Sequence, residues 1–363
     1  MGYVAVRANR DAIEAAEALA TERVLASDHP ILVEQVEDQL GMAVDKVAAE
    51  GGVVDRELAA LAIRQAEGDL IEASFLLRAY RSTLPRLGYS ATSTGADMAV
   101  LRRISSVFRD IPGGQFLGCT RDYAQKLLDF RLLRGGSTGE RMRHAVKQAP
   151  PESFPIVVDH LRREGMMAPA PQRQSNDEPF DVTRQPLRFP VPRSGRLQSL
   201  VRGEAGGMLL LAYSSMRGWG GTGHGAIAEL RGGELPIRIH HPVTGRLATI
   251  GRIAVTEVQY VTGGQSSLQT DGSSEYEFGY GIVPGRDERK AISMAIIDAS
   301  LRLAKPDATR PVESAEFVLS HIDGIESSGF VEHLKLPHYV TFQAGLQRAR
   351  RFKKLLEEAK SVV

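Results

Sequence analysis

Cysteine is almost absent from this chain: Cys119 is the only one in 363 residues. A lone thiol excludes an internal disulfide, a self-contained iron–sulfur cluster and a Cys-rich zinc site. Arg121 is the only cation close to it in sequence, which is thin support for a reactive thiolate, so Cys119 reads as an inert small residue. Long apolar runs are missing too. The longest, Met208 to Tyr213, falls far short of the ~18 residues that a membrane span needs. The N-terminus, Met1-Gly-Tyr-Val-Ala-Val-Arg7, lacks the apolar stretch of a secretion signal, and Val6 stands where a myristoylation motif wants Ser or Thr. A cytoplasmic protein is expected. Charge of one sign is also lacking: 45 Lys and Arg face 44 Asp and Glu, a net charge of +1. That balance gives no general attraction to nucleic acid or an anionic membrane, so anions must be met by local clusters. Finally, no G-x-x-x-x-G-K-[ST] occurs, which excludes a P-loop.

What is present is an ordinary globular composition, 42% hydrophobic and 25% charged. The order of patterns predicts an α+β fold: a helical N-terminal domain, then a mixed α/β domain and a C-terminal helix. Residues 1–134 look mostly helical. Asp55 and Asp69 can cap helices, Gly68 stops one and Pro85 another. A further helix is expected from about Thr120 to Leu133. Residues 135–196 hold much of the proline and read as a linker, interrupted by a helix near Ile156–Arg163. Residues 197–310 form the mixed domain. Ile237 to His240, Ile253 to Val261 and Phe278 to Val283 suit strands, and Asp287 to Ala304 a helix. Residues 311–363 carry a histidine pair and a helix over about Phe342–Lys360. The Arg348, Arg350, Arg351, Lys353 and Lys354 cluster on that helix is diluted by Glu357 and Glu358, which favours a solvated face over a nucleic-acid patch.

Four places offer chemistry. Gly218-Trp-Gly-Gly-Thr-Gly223 has the spacing of a dinucleotide fingerprint but no acidic residue about 20 positions on, so the Rossmann reading fails. A glycine loop whose N–H groups approach phosphate, flanked by Arg217 and His224, fits better. Gly285-Arg-Asp-Glu-Arg-Lys290 opens a helix with Arg286, Arg289 and Lys290, where a triphosphate would be welcome. His333-Leu-Lys-Leu-Pro-His338 places two imidazoles about 140° apart on an ideal helix. Pro337 breaks such a helix, and in a turning segment both rings could meet one ion. Two histidines are few for zinc, which leaves a metal site with ligands from elsewhere, such as His321, or two hydrogen-bonded histidines. Ala66-Glu-Gly-Asp-Leu-Ile-Glu-Ala73 has the pattern of small ubiquitin-associated-type helical modules, an adaptor reading that nothing else in the chain supports.

Several rare strings occur together in one order: Tyr3-Val-Ala-Val6, Phe75-Leu-Leu-Arg-Ala-Tyr-Arg-Ser-Thr83, Arg103-Ile-Ser-Ser-Val-Phe-Arg-Asp-Ile-Pro-Gly-Gly-Gln115, Gly279-Tyr-Gly-Ile-Val283 and Phe330-Val-Glu-His-Leu-Lys-Leu-Pro-His-Tyr-Val340. In these the chain resembles the I subunits of the carbon–phosphorus lyase core complex. The resemblance implies a purine nucleosidase on ATP or GTP when alone. With G, H and L subunits it implies transfer of ribose triphosphate from ATP to methylphosphonate, releasing adenine. It also implies J and K subunits as partners, and it matches His333 and His338 to a pair that holds Zn²⁺ at the boundary with J. From the residues themselves, His224 or a nearby carboxyl is the expected acid and Glu257 the ribose-stabilising carboxylate, while Arg217, Arg286, Arg289 and Lys290 hold phosphates. The competing expectation is a non-catalytic scaffold that organises the complex.

Overall fold

The computed structural model describes residues 10–26, 29–124, 126–134, 154–168, 170, 179–219, 224–268 and 274–360. Helix α1 (Arg10–Leu25) comes first. Helices α2 (Val33–Gln39), α3 (Gly41–Gly51), α4 (Arg56–Gln65) and α5 (Leu70–Thr83) follow and share one apolar cluster that includes Val36, Val44, Val47, Ala59, Ile63 and Leu77. The two expected caps are in place. The Asp55 carboxylate accepts from the Leu58 amide, and that of Asp69 from Ile71 and Glu72. Between them Glu67 and Gly68 both take positive φ, 53° and 92°, which turns the chain from α4 into α5.

Four strands make one antiparallel sheet in the order β1-β2-β3-β4: β1 (Ala99–Ile104), β2 (Ala226–His240), β3 (Leu247–Leu268) and β4 (Ser274–Pro284). Helix α9 (Glu288–Leu303) lies across the sheet. Leu230, Val258, Tyr260 and Val283 point from the strands toward Met294, Ala295 and Ile297, and α7 (Arg193–Arg202) and α8 (Ala205–Ser214) add Leu200 and Met208 to the same cluster. The approach of α9 is close because β4 presents Gly279 and Gly281 there. A Cβ on either would stand 2.1 Å from the Ala295 carbonyl oxygen or 2.0 Å from that of Ala291. The opposite face is covered in part by α6 (Val157–Arg163), whose Val157, Val158 and Leu161 are buried with Ala228 and Val261. Helices α10 (Ala315–His321), α11 (Gly324–Glu332) and α12 (Tyr339–Lys360) complete the chain. No helix among the described residues is long and apolar enough to cross a membrane.

Three expectations change. β1 lies inside the stretch expected to be mostly helical and pairs with β2, register Arg103 with Arg231, so that stretch supplies the edge of the sheet. The helix expected over Thr120–Leu133 is absent from its described residues. They form turns and a short 3₁₀ segment, Phe130–Arg134, and Leu127, Leu128 and Leu133 are exposed. A helix there would have no core to face. Within 135–196 the described residues are packed as well as proline-rich, for Phe154 and Met167 are buried.

The glycine seat predicts that Gly281→Ala lowers stability by about 3 kcal/mol, since a backbone carbonyl cannot move aside as a side-chain tip can. Gly251→Ala on β3, where nothing lies within 4 Å of the new Cβ, is the control and should be near neutral in denaturant unfolding.

Candidate functional site

The expected site residues fall into five places. Glu257 sits on the sheet face turned away from α9, in a buried row of charge. Arg103 donates to Glu229 at 2.6 Å and to the carbonyls of Pro112, Gly114 and Pro155. Arg231 donates to Glu257, which also accepts from the Tyr280 hydroxyl at 2.9 Å. Arg103, Glu229 and Arg231 are at most 1% exposed. Burial and the neighbouring Glu257 charge both push the Tyr280 hydroxyl far above its usual range, so it stays a donor. Both Glu257 oxygens are therefore engaged. Gly95 seals this face, since a Cβ there would stand 2.6 Å from a Glu257 oxygen.

Arg286 and Lys290 meet the helical cluster instead. Arg286 donates from its backbone N and its Nε to Asp45 of α3 at 3.1 and 2.9 Å, and Arg56 donates to the other Asp45 oxygen at 2.7 Å. Lys290 is fully buried. Its Nζ lies 3.9 Å from Glu50 of α3 and has no hydrogen-bond partner among the described residues. Burial pulls the Lys290 ammonium down to about 8, against attraction from Glu50 and Asp287, and burial likewise raises the Glu50 carboxyl.

Arg289 is separate from its neighbours in sequence. It is exposed and lines a cavity of about 610 Å³ between the start of α9, β1, the first residues of β2 and the loop after β1. Arg102 ties those walls together. It donates to Glu288 of α9 at 2.6 Å, to the Leu117 carbonyl at 2.6 Å and to Asp122. Arg217 and His224 flank the glycine loop, of which residues 220–223 lie outside the described residues. Arg217 follows α8 with its guanidinium 5.9 Å from the Tyr213 ring centre, and His224 is exposed just before β2.

The histidine pair is brought together. His333 opens a 3₁₀ turn after α11 and His338 precedes α12, with ring centres 5.2 Å apart. His333 Nδ1 lies against the Phe330 carbonyl, and His338 Nδ1 lies 2.6 Å from that of Leu336. With Nδ1 engaged as an N–H donor, Nε2 is the free lone pair on each ring. His333 also borders a groove of about 480 Å³ between α5 and α11, beside Asp69, Glu72 and Glu332. His321 is occupied elsewhere, stacked on Phe317 with its Nδ1 2.6 Å from that residue's carbonyl. Among the described residues no three His, Cys, Asp or Glu side chains are grouped to share an ion.

The structure thus brings His333 and His338 together, sets Arg286 and Lys290 against separate carboxylates of α3, and places Glu257 and Arg289 elsewhere. Sequence reasoning missed the Arg103–Glu229–Arg231 row and the Arg102–Glu288–Asp122 hub. The first left one signal, the alternation Glu229-Leu-Arg231 on a strand, where charges on a single face announce partners. The second pairs residues 186 positions apart and left none.

The chain is α+β, with a paired-imidazole turn near one end and a cavity of mixed charge beside its sheet. More particularly, residues 2–356 match the family model for the bacterial phosphonate metabolism protein PhnI, and the chain belongs to that family. It is 44% identical over 361 residues to the putative C-P lyase subunit protein HtxH of Stutzerimonas stutzeri, covering 96% of this chain and 95% of that one. It is also 44% identical to the alpha-D-ribose 1-methylphosphonate 5-triphosphate synthase subunits PhnI of Rhizobium meliloti (strain 1021) and Escherichia coli (strain K12). Those matches cover 97% and 96% of this chain and 95% and 98% of the relatives.

The buried lysine sets a pH dependence. Between about pH 8 and 10 the unfolded chain, with an ordinary lysine at 10.5, binds more protons than the folded one, so stability should rise with pH across that interval. Denaturant titrations should show the rise in the wild type and its loss in Lys290→Met.

Proposed function

We propose that this chain is the subunit of a carbon–phosphorus lyase system that breaks the N-glycosidic bond of ATP or GTP. Alone it releases the purine base. With G, H and L subunits it passes the ribose triphosphate to methylphosphonate, and adenine leaves. The observation that carries this reading is the near full-length identity with two chains named as subunits of the synthase that makes that product.

The residues divide by what their surroundings leave free. Arg217, His224 and Arg289 are exposed and can face a substrate. Glycosidic cleavage leaves positive charge on the ribose and negative charge on the departing base. His224 would protonate the base, and Arg217 and Arg289 would offset repulsion between two anionic substrates. Glu257, Arg286 and Lys290, chosen from sequence as substrate contacts, meet partners within the fold, and in this reading they position the elements around the site. Glu257 holds β3 to β2 and β4, while Arg286 and Lys290 hold α9 against α3.

His333 and His338 suit a shared zinc ion. With Zn–N bonds of about 2.0–2.1 Å and a tetrahedral angle, two imidazole centres stand about 5.2 Å apart, and the rings here have that spacing. The engaged Nδ1 atoms leave Nε2 for the metal. The other ligands would come from a J-type partner subunit or solvent, and the ion would supply Lewis acidity at that boundary. A scaffold role has one observation in its favour: α12 contributes no buried residue, as expected of a surface made for docking.

Incubating the purified chain with ATP separates the readings. Free adenine, lost in His224→Ala, supports catalysis, whereas no purine from either the chain or the assembled complex leaves only the scaffold. For the metal, the complex purified with His333→Ala or His338→Ala should contain less zinc by atomic emission than the wild type. Equal zinc content would remove the pair from the site.

A further inference from the structure

The cavity beside β1 has a composition that restricts what it can hold. Its volume of about 610 Å³ lies within the roughly 300–1,000 Å³ of small-molecule sites. It contains two arginines, Arg102 and Arg289, and two carboxylates, Asp122 and Glu288. The charges cancel. A compact anion such as free phosphate or a phosphonate would meet both carboxylates as well as the cations. A ligand with hydroxyl donors at one end and an anionic tail at the other satisfies both signs.

The four charges also differ in freedom. Arg102 is 6% exposed and its guanidinium is spent on Glu288, Asp122 and the Leu117 carbonyl. It fixes the two carboxylates, whose remaining lone pairs can accept from a ligand. Arg289 has no ion pair or hydrogen bond among the described residues and stands exposed on the first turn of α9, free to meet negative charge. Apolar walls from Ile227 and Ile292 complete the cavity, and the exposed Tyr123 ring stands at its edge. A flat heterocycle packs on such a ring, and a sugar diol donates to carboxylates.

We propose that this cavity is the nucleoside polyphosphate subsite: the purine packs against Tyr123 and the apolar walls, the ribose hydroxyls donate to Asp122 and Glu288, and the phosphate tail meets Arg289. The assignment rests on the glycosidic-cleavage reading and deepens it. It places nucleotide binding at the β1–α9 junction. His333 lines a different groove, between α5 and α11.

The test uses the full chain in its assembled complex, with ATP and adenosine as probes. Isothermal titration and adenine-release kinetics are run on the wild type, Arg289→Ala and Tyr123→Ala, both exposed positions whose side chains hold no buried partner. Arg289→Ala should raise the Kd and KM for ATP about tenfold or more, with little change for adenosine, because a charge-assisted contact to the tail is lost. Tyr123→Ala should weaken both ligands. Unchanged Kd for ATP in both variants overturns the assignment while leaving the glycosidic reading intact if the wild type still releases adenine. If the wild type binds ATP with the expected sensitivity to Arg289 but releases no adenine, the subsite stands and the catalytic reading falls.

Discussion

Helix α9 rests on β4 where two glycines let its backbone come down onto the strand. Gly279 and Gly281 alternate with Tyr280, so the face against the helix is bare and the face away from it carries a large polar ring. That single contact fixes much else. It sets the depth of Met294, Ala295 and Ile297 in the main core. It aims the first turn of α9, with Arg286 toward Asp45 of the helical cluster, Glu288 toward Arg102 of β1, and Lys290 toward Glu50. The start of one helix thereby ties the N-terminal helices, the edge strand and the sheet into one body.

The charges inside the molecule follow from this arrangement. A sheet covered on both faces must bury whatever its second face carries, and here that face carries Arg103, Glu229, Arg231 and Glu257. Each finds an opposite partner, since an unpaired charge at that depth would cost several kcal/mol. Among the described residues the buried charges that depart from this are Lys290, whose ammonium has a carboxylate near but no hydrogen bond, and Asp287, whose Oδ2 has none. Exposed positions show the complementary pattern. Arg217, His224 and Arg289 carry chemistry that the fold itself does not consume.

Local signals were legible. Asp55 and Asp69 stand at helix starts because their carboxylates satisfy amides within three residues, and Gly68 stops a helix through its own backbone. The β3 and β4 segments and α9 were visible from their periodicity, as was α12, which begins at Tyr339 rather than Phe342. The histidine pair was visible as a motif, and the structure adds the tautomer through two backbone carbonyls. Non-local facts were hidden. β1 is too short and too charged, with Arg102 and Arg103 adjacent, to announce a strand before β2 is known to lie beside it. Thr120 to Leu133 has helical composition but no surface to bury against, and composition yields to the missing contact. Glu257 read as a free carboxylate because Arg231 and Tyr280 reach it across strands. Lys290 read as a phosphate clamp because burial leaves no trace in a Lys beside two Arg neighbours.

The last helix extends the molecule beyond its core. At about 1.5 Å per residue, the 22 residues of α12 make an arm roughly 33 Å long. Phe342, Leu346, Phe352 and Leu356 lie along it in the open. A helix that leans on nothing holds its shape only as well as its local propensities allow, and its first and last turns fray in water. Burial of that stripe against another surface would hold the turns of the arm in place, and the melting behaviour of the chain would then shift with whatever covers it.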